Sequence, residues 1–233
     1  MSSIADRLTA VRGRIDAAAH TAGRDPASVR LVAVSKTFPL DAIREAFAAG
    51  QREFGENRVQ EALQKISGSA DLPIRWHLIG HLQTNKARKA GPAFAVIQSV
   101  DSVELLEKLD HAAADTGKSP ELLIQVDLAG EATKFGAPLA EVPRLFDAAA
   151  ACRAASVVGL MTLPPLATSP EDARPWFRRL RALRDEWQAA GVPASMLREL
   201  SMGMSGDFEV AVQEGATIVR VGTAIFGSRH AED

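Results

Sequence analysis

LVAVSKTFPLDAIREAFAAG, residues 31–50, divides into a strand and a helix. Leu31, Val32, Ala33 and Val34 form an unbroken apolar run that stops at Ser35-Lys36-Thr37 and Phe38-Pro39, the pattern of a strand buried on both faces. From Leu40 the pattern turns helical and ends in Gly50. Lys36 stands where the strand stops. Lysine is among the residue types least often buried, so its ammonium reaches solvent, pairs with an acid, or is there to react.

The same alternation recurs along the chain. REFGE (52–56) precedes NRVQEALQKI (57–66), RWHLIG (75–80) precedes QTNKARKAG (83–91), and FAVIQSV (94–100) precedes SVELLEKLDHAAADTG (102–117). ELLIQVD (121–127) precedes APLAEVPRLFDAAAACR (137–153), and SVVGLMTL (156–163) precedes a helix opened by Ser169-Pro170-Glu171-Asp172. LRELSM (197–202) precedes DFEVAVQEG (207–215), and TIVRVG (217–222) precedes a last short turn. Continuous apolar strands separated by amphipathic helices imply a parallel sheet with helices outside. Some eight such units predict a closed α/β (β/α)8 TIM barrel. An open doubly wound sheet is the runner-up, disfavoured because no strand is followed by G-x-G-x-x-G or a P-loop. Ahead of the barrel, Ile4, Leu8, Val11 and Ile15 mark an additional N-terminal helix ending at Gly23.

Bulk composition narrows the function classes. The 233 residues, 46% of them hydrophobic and without a linker-like break, suit one barrel domain over 1–233. Lys and Arg total 27 against 29 Asp and Glu, so no global field favours nucleic acid or an anionic membrane. With no hydrophobic signal core and no membrane-length run, a soluble cytoplasmic protein is expected. Cys152, the one cysteine, reads as a packing residue on a helix's inner face. No HExxH or cysteine cluster points to a metal. The helix ARPWFRRLRALRDEW reads as a basic solvent face around a Trp176, Leu180, Leu183, Trp187 stripe.

In such barrels the chemistry lies where the strands end. The strand-end residues are Lys36, Glu56 and Asn57, Gly80 and His81, Asp101, Asp127, Met161 and Thr162, Ser201, and Arg220. After the seventh and eighth strands come SMGMSGD (201–207) and RVGTAIFG (220–227), which combine Gly203, Gly206 and Gly222 with the hydroxyls of Ser201, Ser205 and Thr223. Glycines admit close backbone approach, and these loops are where barrels often bind phosphate; tight turns and a helix cap are the structural alternative. Arg220 shares a strand face with Ile218, so it is paired either with an acid such as Glu56 or Asp127 or with a ligand. Lys36, Arg220 and the phosphate loops are neighbours around a closed barrel, and a phosphorylated aldehyde, most obviously pyridoxal 5'-phosphate (PLP), fits across them. Lysine attacks a carbonyl only as the neutral amine, which desolvation and a nearby cation promote.

AVSKT, FGENRVQEALQK, WHLIGHLQTNK, KFG, GLMTL and LSMGMSGDFEVAVQEGATIVRVGTAIFG together closely resemble the pyridoxal-phosphate homeostasis protein family, a stand-alone barrel related to the N-terminal domain of bacterial alanine racemases. The resemblance covers nearly the whole chain. It implies that Lys36 carries the cofactor as an internal aldimine, that Ser201, Ser205, Gly222 and Thr223 hold the phosphate, and that Arg220 faces the pyridine nitrogen. It further implies that Asn57, His77 and Met161 line the ring's surroundings. Departures are Phe38, where some members carry a second lysine, and Asp127, where asparagine is frequent; Lys134 and Gly136 keep the basic loop near the cofactor.

An arginine facing the pyridine nitrogen can only donate, so the ring is a poor electron sink. The second acid/base of the related racemases is a tyrosine from another domain, and this chain has no tyrosine. His77 and His81 are the only candidate replacements, and a packing role for His77 is as good a reading. The expectation is a PLP carrier acting in vitamin B6 homeostasis, with no catalytic residue and with apo PLP-dependent enzymes as recipients. A low-activity amino-acid racemase and a Schiff-base aldolase are the alternatives. Without the second domain through which racemases pair, a monomer is expected.

Overall fold

The strands form where the apolar runs lie. The computed structural model describes residues 2–130, 135–165 and 168–227. Among them are β1 (Arg30–Val34), β2 (Glu53–Glu56), β3 (Arg75–Leu78), β4 (Val96–Val100), β5 (Glu121–Asp127), β6 (Ala137–Pro138), β7 (Ser156–Met161), β8 (Glu199–Ser201) and β9 (Ile218–Val221). All pairings are parallel, in the order β4-β3-β2-β1-β9-β8-β7-β5, and β4 also pairs with β5. That last pairing closes an eight-stranded barrel, and β6 is a two-residue edge on the end of β5. The expected α/β barrel is the observed fold.

Alternation along each strand sorts side chains into two cores. Val32, Val96, Leu123, Val158, Met161 and Ile218 meet inside the barrel. Ala33, Phe54, Leu78, Ile97, Leu122 and Val219 face outward and pack under the helices. Val158 and Met161 are three residues apart yet both point inward, because β7 pairs with β5 through a register shift between Leu122 and Leu123. At the strand starts, charged side chains pair around the rim: Arg30 with Glu199 at 2.8 Å, and Arg75 and Arg198 with Glu121.

The outer layer is α2 (Leu40–Ala48), α3 (Val59–Gly68), α4 (Ala87–Ala90), α5 (Val103–Ala114), α6 (Val142–Ala150), α7 (Arg174–Ala189), α8 (Phe208–Gln213) and the single turn α9 (Thr223–Phe226). The additional helix α1 (Ile4–Thr21) begins with a reciprocal Ser3–Asp6 capping box. Its stripe of Ile4, Leu8, Val11 and Ile15 is buried, and it packs against α8, α9 and α2. One turn of α9 is too short to cover the seam between β9 and β1, and α1 covers it instead.

Three local expectations change. The stretch 83–91 is a 3-10 turn at Thr84–Lys86 followed by the one-turn α4. The helix expected from residue 137 starts at Val142, after Ala137 and Pro138 add to β5. On α7 the buried stripe is Phe177, Leu180 and Leu183, with Trp176 only half-buried; Trp187 meets the Phe146 ring edge-on at 5.5 Å. Phe177, not Trp176, lies three residues before Leu180, on the inward face.

Candidate functional site

Strand parity decides where Lys36 goes. Val32 and Val34 point into the barrel while Ala33 points to the helices, so Ser35 faces outward and Lys36 returns to the mouth. There a pocket of about 340 Å³ is lined by Val34, Lys36, Asn57, Arg220, Ser205, Gly206, Gly222 and Thr223, with Ile79, Leu163 and Met204 as its apolar walls. A recess of similar size, about 350 Å³, lies at the opposite end among Arg12, Arg30 and Glu53, but no phosphate-type loop reaches it.

The loops after β8 and β9 are joined to each other. Ser205 Oγ accepts hydrogen bonds from the amides of Gly222 at 3.1 Å and Ala224 at 3.4 Å. An oxygen gathered by two amides marks a place built for an acceptor. Gly203 has φ 92°, and a Cβ there would lie 2.5 Å from that of Ala211. Only glycine adopts this turn without strain. A Cβ on Gly222 would come within 3.2 Å of the Val34 carbonyl oxygen, so this loop lies against the strand that carries Lys36.

Arg220 is almost wholly buried, and its partners are neutral oxygens. Nη1 donates to Ser201 Oγ at 2.6 Å and Nη2 to the Thr162 carbonyl at 2.9 Å. Burial pulls the guanidinium down to about 10, against the opposing charge of Asp207. Ser201 Oγ in turn donates to Gln98 Oε1 at 2.6 Å. Gln98 Nε2 lies 2.9 Å from His77 Nδ1, and His77 Nε2 lies 2.9 Å from Glu53 Oε2. Arginine has no acceptor and an ionised carboxylate no donor. The chain therefore has one sense: every donor points from Arg220 towards Glu53, which puts the proton of His77 on Nε2. Burial holds His77 below its ordinary value despite Glu53, so the ring is neutral, as this chain requires.

A model of the alanine racemase N-terminal domain matches residues 7–230. The pyridoxal phosphate homeostasis protein of Aquifex aeolicus is 44% identical, over 96% of this chain and 97% of that one. The one of Pseudomonas aeruginosa is 43% identical, over 98% and 97%. This chain belongs to the pyridoxal phosphate homeostasis protein family. The relatives' names describe homeostasis proteins rather than enzymes. The structure of PipY from Synechococcus elongatus, described as having PLP bound, superposes on this family member with a TM-score of 0.83 and 45% identity, over 97% of this chain and all of that one.

Of the residues expected at this family site, Lys36, Asn57, Ser205, Arg220, Gly222 and Thr223 converge on the pocket. Ser201, His77 and Met161 are fully buried in the barrel interior and are not among the residues that line it. Ser201 supports Arg220 from below, His77 is held between Gln98 and Glu53, and Met161 packs with Leu123 and Ile218. The acids considered for Arg220 are engaged elsewhere. Glu56 bonds Ser35 and Lys65, and Asp127 accepts from the amides of Ala129 and Gly130. The strand-end pattern assigns Gln98 and the Thr162 carbonyl no part in this support; the local signal for Gln98 is an amide in the middle of the buried run FAVIQSV. Lys134 lies outside the described residues. Cys152 follows α6, and burial, with Asp110 and Glu107 nearby, pushes its thiol up to about 11. That is the state of a packing residue rather than a nucleophile.

Proposed function

We propose that this protein binds PLP through Lys36 in one barrel domain and serves intracellular PLP homeostasis as a carrier, without turning over a substrate. The observation that carries the reading is the convergence of Lys36, Arg220 and the Ser205–Gly222 loop pair on one pocket. The residues fit the group. Ser205, Gly222 and Thr223 offer hydroxyls and close backbone for the phosphate, Arg220 offers a donor to the pyridine nitrogen, and Asn57 with the apolar walls flanks the ring. Ser201, Gln98 and His77 orient Arg220 from below.

PLP, when bound, supplies an aldehyde that condenses with an amine and a ring that can withdraw electrons. Arg220 keeps its proton near neutral pH and only donates, which leaves that ring a weak electron sink. Lys36 and Arg220 are the titratable side chains among the described residues lining the pocket, and the chain has no tyrosine. Both points favour holding the cofactor over moving a substrate proton. Apo PLP-dependent enzymes are the recipients in this reading, and the carrier works as a cytoplasmic monomer. No helix among the described residues is long and apolar enough to cross a membrane.

Borohydride reduction of the PLP-loaded protein, followed by peptide mass spectrometry, tests the site: the label is expected on Lys36 and is lost in Lys36→Ala. A label that stays elsewhere at full yield rejects the assignment. The relationship to the alanine racemase domain favours one second reading, a slow racemase. Incubation with L-amino acids in deuterated water separates the two, since Cα exchange above that of free PLP would establish turnover.

A further inference from the structure

Directly behind Lys36, in the layer between the sheet and α3, lies a charged cluster. Lys65 is 9% exposed, Glu56 is fully buried, and all three ammonium donors of Lys65 can be accounted for. They reach the Ser35 carbonyl at 2.9 Å, Glu56 Oε1 at 2.8 Å and Glu61 Oε1 at 2.7 Å. Glu61 Oε1 also accepts from the Thr37 amide at 2.7 Å, and Glu56 Oε1 accepts from the Ser35 hydroxyl at 2.6 Å. The Ser35 carbonyl and the Thr37 amide belong to the two peptide groups that flank Lys36. Thr37 has φ 68°, and it is the one described non-glycine residue with a left-handed backbone. For a β-branched residue that conformation is strained and persists only where its surroundings enforce it.

Buried ion pairs are weak devices for stability alone, because desolvation offsets most of their attraction. Here the ions do something apolar side chains cannot: they bond backbone on both sides of one lysine. We propose that Lys65 is a positioning residue for Lys36, acting with Glu56 and Glu61 to clamp the two flanking peptide groups so that the amine meets a carbonyl in the pocket. The clamp holds Thr37 in its left-handed turn, and that turn returns the chain from the strand to Phe38-Pro39 while Lys36 faces the mouth. The inference rests on Lys36 being the amine that takes PLP.

The test uses the full chain and two readouts. In the apo protein, acetic anhydride labelling of Lys36 is followed by peptide mass spectrometry as a function of pH. In the loaded protein, PLP affinity is measured by titration. Glu61→Ala removes the acceptor of the Thr37 amide at a part-exposed position and leaves the Lys65–Glu56 pair. It is expected to shift the Lys36 labelling profile and to weaken PLP binding about tenfold, the scale of the left-handed penalty for a non-glycine residue. In a Thr37→Gly background, where that penalty disappears, the same substitution is expected to weaken binding less than about threefold. Lys65→Met should reproduce the Glu61→Ala profile; should it fail to fold, the Glu61→Ala pair decides alone. The proposal is overturned if Glu61→Ala lowers only the melting temperature while labelling and affinity stay at wild type, or if its effect is equal in both backgrounds. If wild-type Lys36 takes no PLP, the carrier reading fails, whereas the apo labelling still reports on the clamp.

Discussion

Arg220 and Glu53 stand at the two ends of a single hydrogen-bonded file through the barrel interior, with Ser201, Gln98 and His77 between them. A permanent donor at one end and an acceptor at the other leave the intermediate groups one arrangement each. The amide orientation of Gln98 and the tautomer of His77 are consequences of charges at the ends.

Breaking the file at its middle should be felt at both ends. Gln98→Leu removes the acceptor of Ser201 and the donor to His77 inside the buried core. Urea denaturation is expected to show a loss of about 2–4 kcal/mol, from two buried groups left unsatisfied. PLP affinity should fall as well, because Arg220 loses its fixed partner; unchanged affinity with lowered stability would show that Ser201 alone suffices.

The neutral His77 gives stability a pH dependence of defined sign. Its folded value is depressed below the ordinary 6.5, with burial as the first cause. Above that value both folded and unfolded states carry a neutral imidazole, and the group contributes no slope. As pH falls below it the unfolded chain takes up a proton that the folded chain refuses, so stability declines by up to about 1.4 kcal/mol per pH unit until the folded value is reached. His77→Gln keeps a donor for Glu53 and an acceptor for Gln98 and cannot titrate. Denaturation midpoints across mildly acidic pH should be flatter by up to one proton in that variant.

The two glycines of the joined loops should fail in different ways. Gly203→Ala puts a side chain at φ 92° and 2.5 Å from Ala211 Cβ. A loss of about 2–4 kcal/mol in denaturation is expected from strain plus overlap. Gly222→Ala meets Val34 at 3.2–3.3 Å, which a shift of a few tenths of an ångström relieves. It should leave stability nearly intact and weaken PLP binding by about tenfold, read by titration, since the displaced backbone lines the pocket and belongs to the loop proposed to hold the phosphate.

Deleting buried bulk from the additional helix is the fourth expectation. Leu8 is wholly buried against the barrel's outer layer. Leu8→Ala should cost about 2–5 kcal/mol in urea denaturation, whereas a change at exposed Thr9 should lie within about 0.5 kcal/mol.

Much of this was legible in the linear pattern because barrel strands are buried on both faces. ELLIQVD coincides with β5 at both ends, and alternation in TIVRVG puts Ile218 and Val219 on opposite faces, as observed. The adjacency of the first and last strands in a closed barrel likewise accounts for Lys36 and Arg220 sharing one pocket. Partnerships between distant residues were not legible. Glu53, His77, Gln98 and Ser201 come from four separate strands, and nothing local signals that their side chains meet. Lys65 read as an ordinary member of an amphipathic helix, since a buried cation is recognisable only once its acids are in place. The stripe Trp176, Leu180, Leu183, Trp187 has helical spacing, yet Phe177 takes the buried place beside Leu180 and Leu183, a one-residue difference in helical phase that spacing alone does not fix.

The position of α1 has a consequence for how the barrel closes. The helix lies against α8 and α9, which belong to the far end of the barrel sequence, and against α2. Until β9 has paired with β1, its stripe of Ile4, Leu8, Val11 and Ile15 has only half a surface to rest on. Seam closure and helix docking are thus one cooperative event spanning some two hundred residues of separation, as in the Arg14–Glu209 ion pair. Contacts of such range are slow to form, so a partly folded chain would expose that stripe beside an open sheet edge, the combination most prone to pairing with another molecule.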